Sequence, residues 1–327
     1  MSNPTQSAPS PTTEALFDRY LLPKVALTII VAASLLGSWV STTLVSDSGI
    51  VSAVATWAFL VALGTLVGGL LWKHLFVRPA DLGTGAREYC AAMYERFDRI
   101  ASLAVIVTVL AGSVVLWRYV ERFGTTVEAA SLAMLGLTTV GIVAWTILAD
   151  RTVESQFRSR AGLLALTFGL LTLLATAIAE VAMRGLEPAG TVVRMLHLLA
   201  FAVWIGGAVW NIFVAVPSGQ ERPRVDVVAA AAEQLERFRW AVRFVIPTIF
   251  LTGAYQAVDA IGLNVSVYVT STIGLAILAK AGFIGVLVVI FKLCPMWRAC
   301  SPIEGVCDLE ELGASRVETD SEVSTDD

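Results

Sequence analysis

Met195-Leu-His197-Leu-Leu-Ala-Phe-Ala-Val-Trp204-Ile-Gly206-Gly207 lies inside an apolar run that covers about 192–217. A run of that length can cross a bilayer, for which a helix needs roughly 20 residues. The stretch also holds one of only two histidines in the chain of 327 residues. An imidazole within apolar helix sequence is costly unless it has a partner or faces a wet cavity, so His197 is the first candidate for a working site.

Outward from this stretch the same character persists. The chain is 56% hydrophobic and 15% charged, with a mean hydropathy of +0.74, whereas soluble domains carry about 25% charged residues. Seven further apolar runs fall at about 22–46, 50–72, 99–119, 126–149, 161–183, 240–260 and 267–293. They are too long, and too free of polar alternation, for a β-barrel. The expected fold is an all-α polytopic membrane helix bundle with eight transmembrane helices. Residues 1–20 are polar, hold Pro4, Pro9 and Pro11, and lack a basic leader. They read as a disordered tail, so that the first span is retained as a helix. Residues 295–327 form an acidic tail, with Asp308, Glu310, Glu311, Glu318, Asp320, Glu322, Asp326 and Asp327 against Arg316 in its last twenty residues. Such a run reads as a solvated cytoplasmic segment and points to no partner.

Basic residues set the expected orientation. With the N-terminus inside, eighteen Lys and Arg fall in cytoplasmic segments and four (Arg118, Arg122, Arg184 and Arg194) in outer ones, with Lys280 inside a span. This predicts a multi-pass protein of the cell membrane with both termini cytoplasmic. The lipid bilayer is its surroundings, and no nucleic-acid partner is expected.

The eight spans divide into two sets of four, 21–150 and 151–294. Gly68-Gly69-Leu-Leu-Trp72 and Pro79 match Gly206-Gly207-Ala-Val-Trp210 and Pro217, 138 residues apart. Glu95-Arg96-Phe97 matches Glu236-Arg237-Phe238, and Gly112 matches Gly253, 141 residues apart. An even number of helices per repeat relates the halves by an axis along the membrane normal, with sites expected near the repeat interface. The long connections 73–98 and 218–239 are equivalent, and 227–238 predicts a short interfacial helix leading into span 7.

His197, Trp204 and Asn211 are spaced by sevens, nearly two helical turns, and so share one stripe. Their first-half counterparts are Phe59, Leu66 and Lys73. His197 is expected roughly 7 Å below the outer boundary, at about 1.5 Å per residue. Met195, Met183 and Glu180 fall near the same face and could gather with it as a metal site. A His/Met set is softer than a zinc site and suits Cu(I). Met195 is the weakest of these, since two residues turn it about 200° from His197. Lys280 sits mid-span and should face the interior or a wet cavity. Cys294, Cys300 and Cys307 follow the last span with Met296 among them. Their spacing is not that of a zinc site, though thiolates bind Cu(I) well. With Cys90 they fall on the cytoplasmic side, where thiols stay reduced. His74 reads as an interfacial residue. The chain has no phosphate-binding loop, no paired catalytic carboxylates and no His-Glu-x-x-His, so no enzyme is expected.

The His197-to-Gly207 stretch, together with Leu251-Thr-Gly253-Ala-Tyr255 and Thr270-Ser-Thr-Ile-Gly274-Leu-Ala-Ile-Leu-Ala-Lys280, resembles the copper resistance D family of membrane proteins. The resemblance covers about 161–293 and reaches the first half only through the duplication. It implies a role in copper transport or homeostasis across the cytoplasmic membrane, with copper as the bound ion, His197 and Lys280 as the positions that carry over, and an extracytoplasmic copper-binding protein as a partner. The chain departs from the pattern in having no such partner domain fused to it and few extracellular Met and His residues. Two other readings stand beside it. One is a redox protein with b-type haem, for which His74 and His197 lie at opposite faces and cannot serve one haem. The other is a non-catalytic scaffold or sensor in which His197 is structural.

Overall fold

In lipid each segment must satisfy its own backbone polar groups, so uninterrupted apolar runs become helices. The computed structural model describes residues 13–45, 49–77, 87–149, 152–185, 187–221 and 225–293. In chain order its α-helices are α1 (Thr13–Val45), α2 (Ile50–Leu71), α3 (Arg87–Phe123), α4 (Val127–Leu148), the short α5 (Val153–Gln156), α6 (Arg160–Ala182), α7 (Pro188–Val209), the short α8 (Val216–Gln220), α9 (Val225–Ile261), α10 (Val265–Thr270) and α11 (Thr272–Leu293). Eight of them, namely α1, α2, α3, α4, α6, α7, α9 and α11, are long and apolar enough to span a membrane. The protein is an all-helical, multi-pass membrane bundle. The end at which α1 begins is called the near end, and the opposite end the far end. Three far-end turns close on glycines with positive φ, at Gly124, Gly185 and Gly262.

Helices extend beyond the apolar runs in three places. α1 already begins at Thr13, inside the segment expected to be a disordered tail; residues 1–12 lie outside the described ones. α3 takes up much of the expected loop 73–98, because 87–98 contains neither Gly nor Pro and buries Tyr89, Cys90, Met93, Tyr94 and Phe97. The expected short helix at 227–238 is instead the first part of one unbroken 37-residue helix, α9, which continues through Pro247. A proline is tolerated within such a helix when neighbouring groups satisfy the freed carbonyl.

α2 and α7 form the centre, with 67% and 61% of their spans buried, against 17–22% for α1, α3, α4, α9 and α11. They cross at paired glycines, where a Cβ on Gly68 would lie 2.8 Å from Cα of Gly206. The outer helices turn Leu110, Trp117, Leu137, Phe250 and Val289 outward, as a bilayer requires.

Packing occurs in matched pairs. α2 lies on α3 as α7 lies on α9, α1 on α2 as α6 on α7, and α4 on α6 as α11 on α1. After each Gly-Gly-x-x-Trp motif the helix widens into a π-helix, Trp72–Phe76 in one half and Trp210–Ala215 in the other. Phe97 packs on Trp210 with ring centroids 5.4 Å apart, and Phe238 packs on Trp72 at 5.8 Å, so each half supplies the ring that covers the other half's tryptophan. The pattern fails in one place. α3 packs along α4, whereas α9 and α11 barely touch.

Candidate functional site

Where α9 and α11 stand apart, a cavity of about 350 Å³ opens between α1, α7, α9 and α11. That size falls within the range of small-molecule sites. His197, Trp204, Arg194, Arg184, Gln256 and Lys280 are its polar lining residues of note. No carboxylate lines it among the described residues.

α7 brings His197 to the cavity wall, where it is buried, and α9 supplies its partner: Nδ1 lies 2.8 Å from the Thr252 hydroxyl. The single hydroxyl hydrogen of Thr252 is directed to the carbonyls of Thr248 and Ile249 one turn earlier. With that hydrogen given to the helix, the oxygen would accept from Nδ1–H of His197, and the lone pair would fall on Nε2. Gly253 leaves room beside the ring, since a Cβ there would lie 3.6 Å from Cε1 of His197. One turn earlier on α7, Arg194 forms an ion pair with the buried Glu180 of α6 and donates to Oε1 of Gln256 at 3.0 Å. Arg184, between α6 and α7, reaches the Ser41 carbonyl of α1 at 3.4 Å. Lys280 of α11 points at α1, where a Cβ on Gly37 would lie 2.9 Å from Nζ.

The same positions in the first half are filled. Phe59 stands at the place of His197 and packs on Gly112, the counterpart of Gly253. Thr139, 141 residues before Lys280, is buried against Thr172 with hydroxyls 3.0 Å apart. The first half holds a phenyl ring and two hydroxyls where the second holds an imidazole and an ammonium.

The proposed metal ligands do not gather. His197 lines the cavity, Met195 packs against the core, and Glu180 and Met183 line a second far-end cavity of about 320 Å³ beside Arg118, Arg122 and Arg184. Glu180 is committed to Arg194. Among the described residues no group of three or more His, Cys, Asp and Glu could hold a metal ion. Cys90 is buried near the near end, and Cys294, Cys300 and Cys307 lie outside the described residues. Of the expected stripe, His197 and Trp204 line the cavity, while Asn211 falls in the π-helix and donates from Nδ2 to the Gly207 carbonyl at 2.8 Å.

His74, expected at the membrane interface, is buried in the bundle. The π-helix Trp72–Phe76 turns it inward against Gly162, where it is buried and far from the His197 cavity. Beside it lies a feature the sequence reading missed. Lys73, counted there as a loop residue, forms a 2.7 Å ion pair with Asp98 under the Tyr94 and Phe97 rings. Arg194, Thr252, Gln256 and Gly37 were also missed. The Thr252-Gly253 dipeptide was visible as a motif, but nothing in its own helix says that it faces His197.

No protein family model matches the chain, and no curated protein or solved structure is detectably similar to it.

Proposed function

We propose that the protein takes part in copper transport or homeostasis in the cell membrane, with His197 as the residue that meets the ion. The resemblance of the His197 and Lys280 segments to copper resistance D proteins suggests copper. The observation that carries the reading to this cavity is the Thr252 contact, which leaves the Nε2 lone pair of a buried imidazole available. Metal-binding histidines commonly have their other nitrogen fixed in this way, which sets the tautomer and the ring orientation. Glu180 is held by Arg194, so copper would be met by His197 with ligands brought by the cargo itself rather than by a closed protein set. A thioether contribution from Met183 or Met195 would require those side chains to move, and Cys294, Cys300 and Cys307 lie outside the described residues.

Copper uptake into proteoliposomes, and copper retained by the purified protein, test this. Wild type and His74→Ala should both take up and retain copper, and His197→Ala should do neither. Equal copper in His197→Ala and wild type would remove copper from the account and leave His197 as a structural residue.

A further inference from the structure

Besides His197, the cavity holds three cationic side chains and more apolar wall than a small ion needs. Arg184, Arg194 and Lys280 line it without a carboxylate among them. Arg194 is balanced by Glu180. Lys280 makes no hydrogen bond or ion pair with any described residue, and its ammonium lies over the bare backbone of Gly37. Arg184 has one long contact, to the Ser41 carbonyl. Glu180, and after it Asp259, act on Arg184 electrostatically, but neither forms an ion pair with it. An ammonium within a membrane bundle is expensive and is kept where it meets a partner, and no described residue supplies one here.

The remaining wall is mostly apolar, with Ser34, Ser38, Ser41, Gln256 and Tyr268 among it. Ile30, Leu60, Phe201, Ile249, Ile284 and Leu287 line it from α1, α2, α7, α9 and α11. In the first half the corresponding positions hold Phe59 against Gly112 and the Thr139–Thr172 contact in place of an imidazole and an ammonium. The character of this cavity is therefore set by these residues.

We infer that the cavity binds an amphiphile with an anionic head, its head held by Lys280 and Arg184 and its apolar body between α1, α9 and α11. A long-chain carboxylate and an anionic lipid share this chemistry. The inference does not rest on copper, and the two are read by different residues and different signals.

Trp57 and Trp204 also line the cavity, so a brominated ligand reports its own arrival by quenching them. The probe is dibromostearate added to the full-length protein in non-ionic detergent, with its neutral methyl ester as control. Quenching should saturate with the acid, and the ester should need at least about ten times the concentration, the effect of losing one charge-assisted contact. Lys280→Gln and Arg184→Gln should each raise the half-saturating concentration by about tenfold, and Lys280→Arg should restore it. Arg184 is exposed, so its variant carries the test even where Lys280→Gln fails to fold. In nanodiscs, displacement of the probe by phosphatidylglycerol but not by phosphatidylcholine would make the bilayer the source of the ligand. Saturable quenching that neither lipid displaces would make it a free amphiphile. Equal quenching by acid and ester, or half-saturation unchanged in Arg184→Gln, would overturn the inference.

Discussion

At the scale of single residues, the imidazole of His197 is governed by a hydroxyl that never touches the cavity's contents. Thr252 gives its hydrogen to its own helix and so offers only a lone pair to Nδ1. Removing that oxygen frees the ring to rotate and to change tautomer. Thr252→Val should leave the bundle intact, because the hydroxyl is replaced by a methyl group of similar volume, yet weaken copper retention by about 10–100-fold, the usual effect of losing such a supporting partner. Thr252→Ser keeps the oxygen and should retain most of the affinity. Copper titration of the two variants separates a positioning role from a packing role, since loss of packing alone would not be rescued by serine. The sequence made His197 conspicuous because histidine is rare in apolar helix, whereas Thr252 stood out only as part of a Thr-Gly motif with no sign of what it faces. Threonine is common in these spans, and here its value comes from facing α7.

At the scale of helices, the apolar runs were legible and their ends were not. Hydropathy marks where a helix meets lipid, and it is silent about a helix that continues past the lipid. For that reason 87–98 read as part of a connection and 227–238 as a separate short helix, whereas α3 and α9 run through them, burying Met93 and Ala231 and packing Phe97 and Phe238 on the other half's tryptophans. The two Gly-Gly-x-x-Trp motifs were legible as a matched pair, but the π-helices that follow them were not, since no residue type enforces that winding. The glycines do specify the crossing of α2 and α7. A methyl group on Gly68 would be forced onto Gly206 backbone, and over-packing of this kind costs about 1–3 kcal/mol. Gly68→Ala and Gly206→Ala should each lower the unfolding temperature in detergent, whereas Gly282→Ala, which has nothing within 4 Å of the new methyl, should not. A Gly68→Ala protein as stable as wild type would mean that α2 and α7 do not approach at this point.

At the scale of the whole molecule, the site lies where the two halves differ. Both use the same helix pairings, but only the second leaves α9 and α11 apart, and only there do an imidazole and an unpaired ammonium face open space. A contact such as Gly37 with Lys280 joins the first spanning helix to the last, and no local pattern in the sequence announces a pair so distant. What the sequence does carry is an expected direction. Eighteen basic residues fall in the segments expected to be cytoplasmic and four in the outer ones, and a bias of that size predicts a cytoplasmic near end. His197, Arg194 and Arg184 then face the outer half of the membrane, and a ligand would enter from outside or from the outer leaflet. Two exposed glutamates mark the ends: Glu187 before α7 at the far end and Glu95 on α3 at the near end. In a background with Cys90, Cys294, Cys300 and Cys307 replaced by serine, Glu187→Cys should react with a membrane-impermeant maleimide added to intact cells. Glu95→Cys should react only after the cells are opened. Labelling of Glu95→Cys from outside would invert the molecule, turn the cavity towards the cytoplasm, and make any ligand it holds one that the cell itself supplies.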